Sequence, residues 1–102
     1  MTRATISTHV LDLAEGKPAV GVPITLGTND SLITDAEGRI ADLVPGGIEP
    51  GSHRLVFDLR DYFGDRPHLV DRVTLEIVID EVRHYHVPLL LSPFGLASYR
   101  GT

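Results

Sequence analysis

The chain has no cysteine among its 102 residues, which removes disulfide frameworks, thiolate nucleophiles and zinc–thiolate sites together. It has no basic surplus either, because 9 Lys and Arg residues stand against 14 Asp and Glu, a formal net charge of -5. Without a basic stripe to neutralise phosphates, nucleic acid and anionic membranes are poor partners. No segment approaches the roughly 20 consecutive apolar residues of a membrane-spanning helix, the longest being broken by Pro88 and Ser92. The opening residues Met1-Thr2-Arg3-Ala4-Thr5-Ile6-Ser7 carry neither the apolar stretch nor the cleavage site of a secretory signal, so a cytoplasmic location is expected. No low-complexity tract is present, and 42% hydrophobic with 23% charged residues is the balance of an ordinary globular protein. The length suits one two-layer core, hence a single domain over residues 1–102.

What is there reads as short strands. From Ala4 to Leu11 the residues alternate, with Ile6 and Val10 on one side and Thr5, Ser7 and His9 on the other, the period of a half-buried strand. His9 therefore faces away from the core. Val20 to Leu26 is a second strand, its Gly21 and Pro23 suggesting an edge or bulge. Ser31–Thr34 and Arg39–Leu43 flank Asp35-Ala36-Glu37-Gly38, a spacing that predicts a hairpin. Strands over His53–Leu59, Val73–Ile79, His84–Leu91 and Leu96–Thr102 follow, with one short helix between Leu59 and Arg66 stopped by Pro67. Seven or eight strands separated by Gly and Pro turns predict an all-β, two-sheet antiparallel sandwich.

The segment Arg83-His84-Tyr85-His86-Val87-Pro88-Leu89-Leu90-Leu91 carries most of the chemistry. Period two puts His84 and His86 on one face and Tyr85, Val87, Leu89 and Leu91 on the other. Pro88 has no ladder donor, which predicts an edge strand able to pair with a neighbouring subunit. A histidine on a strand is by default a surface or hydrogen-bonded structural residue, and His53, His68 and His84 keep that reading.

Three blocks depart from the default together: Ser7-Thr8-His9-Val10-Leu11-Asp12 with Gly16-Lys17-Pro18-Ala19; Thr34-Asp35-Ala36-Glu37-Gly38-Arg39; and His84-Tyr85-His86-Val87-Pro88-Leu89-Leu90-Leu91-Ser92-Pro93 running on to Tyr99-Arg100-Gly101-Thr102. In these the chain resembles the 5-hydroxyisourate hydrolases of the transthyretin-like (prealbumin-like) family over nearly its whole length. The resemblance implies a transthyretin-like sandwich and a metal-free, cofactor-free hydrolase acting on a purine-derived small molecule. It also implies a homotetramer, a dimer of dimers, with sites between subunits. Catalytic roles would fall to His9, Arg39 and His86, and substrate binding to Tyr99, Arg100, Gly101 and Thr102. The chain departs from the family in ending on threonine where serine is usual, in Leu69-Val70-Asp71-Arg72, and in Leu96 where tyrosine is frequent.

These residue types suit the implied chemistry, in which water opens an electron-poor ring at an amide carbonyl. An imidazole, with an ordinary pKa of about 6.5, takes a proton near neutral pH. A guanidinium fork holds the imide edge or the developing oxyanion in a way lysine does not. The expected division has His9 acting on water and His86 on the leaving ring nitrogen. Beside a sandwich module that only mediates protein contacts, which would not need His9, Arg39, His86 and Tyr99-Arg100-Gly101 together, three rivals stand against this reading. One is a metal site of His9, His84 and His86; another is a covalent route through Ser92, Ser98 or Thr102. The third is a transthyretin-like carrier that binds small aromatic ligands without altering them.

Overall fold

The computed structural model of the chain describes residues 3–102, and Met1-Thr2 of the opening segment lie outside them. Ten strands form in chain order: β1 (Thr5–Asp12), β2 (Lys17–Pro18), β3 (Pro23–Leu26), β4 (Leu32–Ile33), β5 (Arg39–Ile40), β6 (Gly51–Asp58), β7 (Arg72–Ile79), β8 (His84–His86), β9 (Leu89–Ser92) and β10 (Gly95–Ser98). The helix α1 (Arg60–Phe63) lies between β6 and β7. One sheet runs β10-β9-β1-β2, with β5 and β8 also paired to β1; the other runs β4-β3-β6-β7. The predicted two-sheet sandwich is thus present, with more and shorter strands than the turn count suggested.

Alternation drives the packing. Along β1 the inward positions Ile6, Thr8, Val10 and Asp12 are buried, while Thr5, Ser7, His9 and Leu11 are half-buried on the outer face. Ile6 and Val10 share one core with Ile24 and Leu26 of β3, Leu55 and Phe57 of β6, and Leu89 and Leu91 of β9. Each such side chain removed from water contributes about 1.5–3 kcal/mol, which is what holds the sheets face to face. The second sheet is antiparallel throughout, and β6 and β7 pair over their full lengths from Gly51↔Ile79 to Asp58↔Arg72.

The first sheet departs from the expectation in two places. His84–Leu91 is expected as one edge strand of an antiparallel sandwich, but it is two strands parallel to β1, of which β9 is interior and β8 has β1 as its only strand partner. β8 and β9 both run parallel to β1 at a constant offset, Ser7↔His86 and Val10↔Leu89, and β9 is flanked by β1 and β10. The missing Pro88 N–H breaks the ladder between the two. Hydroxyls satisfy the carbonyls around the break, since Thr8 Oγ1 donates to Val87 O at 2.7 Å and Ser98 Oγ to Pro88 O at 2.8 Å.

The predicted hairpin around Asp35–Gly38 is also not a hairpin. Its turn forms, with Gly38 N–H donating to Asp35 O at 2.9 Å. Its arms part, because β4 pairs with β3 in one sheet and β5 with β1 in the other. Buried Thr34 fixes the departure: its hydroxyl donates to Ala19 O and accepts from Val22 N–H. Among the described residues no helix is long and apolar enough to cross a membrane.

Candidate active site

The outer face of β1 collects the chemistry-bearing side chains. His9 lies opposite Arg39 of β5, and Ser7 opposite His86 of β8, so groups from three distant parts of the sequence share one side of one sheet. Gly101 then bridges to His86, its N–H donating to His86 O at 2.7 Å. His9, Arg39, His86 and Gly101 are therefore neighbours.

Each is held by its own local device. Asp35 Oδ1 accepts from the Glu37 and Arg39 N–H groups, both at 2.9 Å, so a short polar side chain shapes the turn that delivers Arg39. Gly38 in that turn has φ +74° and lies so close to β1 that a Cβ would sit 2.5 Å from Val10 O, a position open to glycine alone. The Arg39 guanidinium is exposed and makes no ion pair among the described residues. Its donors are left for an incoming ligand. His9 Nε2 lies 2.7 Å from Glu37 O. A carbonyl only accepts, so Nε2 carries the proton and the neutral ring keeps its lone pair on Nδ1.

The ring of buried Tyr85 aims inward between the two histidines, its hydroxyl donating to the Asp80 carboxylate and accepting from the N–H groups of Asp80 and Glu81. That anchor turns His84 and His86 outward. Ser7 Oγ then lies 2.8 Å from His84 Nε2 and 2.8 Å from His86 Nδ1, and Thr5 Oγ1 lies 2.7 Å from His84 Nδ1. Burial, reinforced by the nearby Arg39 guanidinium and by His9 and His84, holds the His86 pKa below the ordinary imidazole value. His86 Nε2 has no partner among the described residues and is not sealed from solvent.

The terminal residues divide. Gly101 packs on the His86 ring so closely that a Cβ there would lie 2.9 Å from His86 Cδ2. Tyr99 and Arg100 instead line a groove of about 300 Å³ with Leu75 to Ile79 of β7, Tyr85, Val87 and Ser98. Exposed Thr102 ends the chain. Two site neighbours are not assigned to the hydrolase site in the sequence, Ser7 and His84. Their signal was present in the alternation that puts Thr5, Ser7 and His9 on one face and His84 with His86 on another, but the pairing of those faces is visible only in the sheet.

Among the described residues no three His, Asp or Glu side chains converge as a metal-binding group. The facing nitrogens of His84 and His86 are both engaged by Ser7. What the arrangement offers is a free base at His9, a second imidazole held neutral at His86, and a fixed cation at Arg39 within reach of one bound ring.

Such a sandwich, with imidazole and guanidinium groups on the outer face of its first strand, is transthyretin-like in architecture. The HIUase/Transthyretin family profile matches residues 6–101, and the chain belongs to that family. It is 38% identical to a 5-hydroxyisourate hydrolase of Mesorhizobium japonicum, the match covering 95% of this chain and 91% of the relative. Among solved structures it resembles the 5-hydroxyisourate hydrolase of Klebsiella pneumoniae, with a TM-score of 0.85 and 34% identity over 97% of this chain and 94% of that one. It shares the fold of sea bream transthyretin solved with thyroxine, with a TM-score of 0.83 and 23% identity over 95% and 94% of the two chains.

Proposed function

We propose that the chain is a 5-hydroxyisourate hydrolase of urate breakdown, opening the substrate ring to 2-oxo-4-hydroxy-4-carboxy-5-ureidoimidazoline. The observation that carries this reading is the meeting of His9, Arg39 and His86 on one face, with Gly101 against the His86 ring. The names of its relatives at 38% identity over 95% of the chain support it.

In this reading His9 Nδ1, free because Nε2 is tied to Glu37 O, takes a proton from the attacking water. The hydroxyl oxygen bonds to the ring carbonyl carbon, and Arg39 donates to the oxyanion that forms. When the carbon–nitrogen bond breaks, the ring nitrogen takes the His86 Nε2 proton, and of the two protons then held by His9 and the new carboxyl one returns to His86 and the other goes to water. The low His86 pKa keeps the ring neutral between turnovers. Tyr99, Arg100, Gly101 and Thr102 are assigned to substrate binding, Gly101 by setting the His86 ring and Arg100 as a second guanidinium. Tyr99 and Arg100 line the groove beside β7, which His86 does not line, so their role suits a site completed by a neighbouring copy. A homotetramer supplies that copy. The outer strands β10 and β7 leave unpaired edges, with Leu96 and Val78 exposed on them, of the kind another copy can extend.

The test is direct: 5-hydroxyisourate is generated freshly with urate oxidase, the protein is added, and ultraviolet absorbance is followed against spontaneous decay. Acceleration is expected, and His9→Ala, Arg39→Ala and His86→Ala should each lower turnover about a hundredfold or more with the fold retained. Saturable binding with unchanged decay would make the chain a carrier instead.

A further inference from the structure

We propose that Thr5, His84 and Ser7 form a proton wire that ends on His86, so that His84 and Ser7 are positioning residues for the reaction. The proposal rests on the reading of His86 as the group that exchanges a proton with substrate. Three contacts carry it: Thr5 Oγ1 to His84 Nδ1 at 2.7 Å, His84 Nε2 to Ser7 Oγ at 2.8 Å, and Ser7 Oγ to His86 Nδ1 at 2.8 Å.

With both rings neutral, these contacts allow two proton arrangements. In the first, Thr5 O–H donates to His84 Nδ1, His84 Nε2–H to Ser7, and Ser7 O–H to His86 Nδ1. His86 Nε2 then carries a hydrogen and acts as an acid. In the second every donor is reversed and His86 Nε2 holds a lone pair, ready to act as a base.

Passing from the first to the second releases one proton at His86 Nε2 and takes one up from water at the Thr5 end. The incoming proton binds Thr5 Oγ1 as its own hydroxyl proton moves to His84 Nδ1. The His84 Nε2 proton moves to Ser7, and the Ser7 proton to His86 Nδ1. No group is left charged. That matters here because burial and the neighbouring Arg39, His9 and His84 all oppose an imidazolium at His86. A wire recharges His86 without requiring one.

The placement fits transport better than support. His84 is exposed and Thr5 half-buried, which gives the wire an outlet to water. The strand does not need these contacts to stay in place: Thr5 N–H to Arg83 O at 3.1 Å, Val87 N–H to Ser7 O at 2.9 Å and the Tyr85 anchor already hold it.

The experiment joins two readouts on the full-length protein. Imidazole nitrogen shifts measured by NMR should show the His86 tautomer ratio changing in His84→Gln, whose amide bonds but cannot exchange tautomers. Ser7→Ala should remove the coupling, and Ser7→Thr should keep it. In turnover, His84→Gln and Ser7→Ala should each lower kcat about tenfold or more with KM within about twofold, and Ser7→Thr should recover most of the rate. The dependence of kcat on deuterium fraction should be curved in the parent and linear in Ser7→Ala. Unchanged His86 nitrogen shifts across these variants would overturn the wire whatever the activity, as would parental kcat in both His84→Gln and Ser7→Ala. A parent protein that leaves 5-hydroxyisourate decay unaltered would overturn the proposed function, and the nitrogen shifts would still decide the wire.

Discussion

Replacing Gly101 with alanine tests how tightly the chain terminus sets the His86 imidazole. The added Cβ would stand 2.9 Å from His86 Cδ2, 3.3 Å from its Cβ and 3.4 Å from its Cγ. The first of these is about 0.6 Å inside an ordinary carbon contact of ~3.5 Å, so either the ring or the terminal residues must move by that order. The ring is tied at Nδ1 to Ser7, and the terminus to His86 O by one backbone bond; relief on either side disturbs the site. A misplacement approaching 1 Å costs about a hundredfold in rate, equivalent to about 2.7 kcal/mol of transition-state stabilisation. The cost in stability is bounded by the one backbone bond, about 1 kcal/mol or roughly 4–8 °C in Tm. Gly101→Ala should therefore fold and assemble, melt close to the parent, and turn over 5-hydroxyisourate about a hundredfold more slowly in the absorbance assay. Turnover within about threefold of the parent would refute the claim that glycine is there for close approach.

Two further outcomes follow from the electrostatics. His86 should titrate below about 6.5 when followed by its ring proton resonances, because burial first and then the Arg39 guanidinium disfavour its cation; Arg39→Gln should move the midpoint upward, and an unmoved midpoint would refute the proximity. His68 has its pKa raised by the Arg66 carbonyl and the Asp71 carboxylate, and its ring stacks on Phe63 at 4.8 Å. A raised histidine pKa means stability that is fully present below about 6.5 and lost as pH climbs through the higher folded value. The gap in urea midpoint between the parent and His68→Gln should accordingly be wider at about pH 5.5 than at about pH 9, and an equal gap at both would show that only the stacking matters.

How far the sequence reaches depends on the range of the interaction that decides each feature. Burial periodicity is local, so the outward direction of His9 and the shared face of His84 and His86 are legible from residue spacing, and β1 buries Ile6 and Val10 as that spacing requires. Pairing is not local. The Asp35–Gly38 turn is encoded by Asp35 and Gly38 themselves, yet whether its arms join is settled by Thr34 holding Ala19 and Val22 some twelve to fifteen residues away. Pro88 reads as an edge signal by its missing donor, yet it is buried at the break between β8 and β9, where the Thr8 and Ser98 hydroxyls cover the carbonyls around it. His84 kept a structural reading for the same reason, since nothing near it in the sequence announces Ser7.

One strand explains why residues so far apart in the sequence arrive together. β1 pairs with β2, β5, β8 and β9 along its eight residues, and its inner face is locked into the core. Its outer positions therefore sit on one of the most constrained stretches of backbone in the fold, where a side chain can be held to the tolerance that catalysis demands. Arg39 and His86 come from short strands whose only named strand partner is β1, so their separation from His9 is fixed by ladder register and not by loop conformation. Gly101 is the exception: it reaches His86 through an isolated bridge at the end of the chain. Register thus holds His9, Arg39 and His86, whereas Gly101 is held by a single backbone bond and by its close packing on the His86 ring, which is why a Cβ at that position is felt directly at the imidazole.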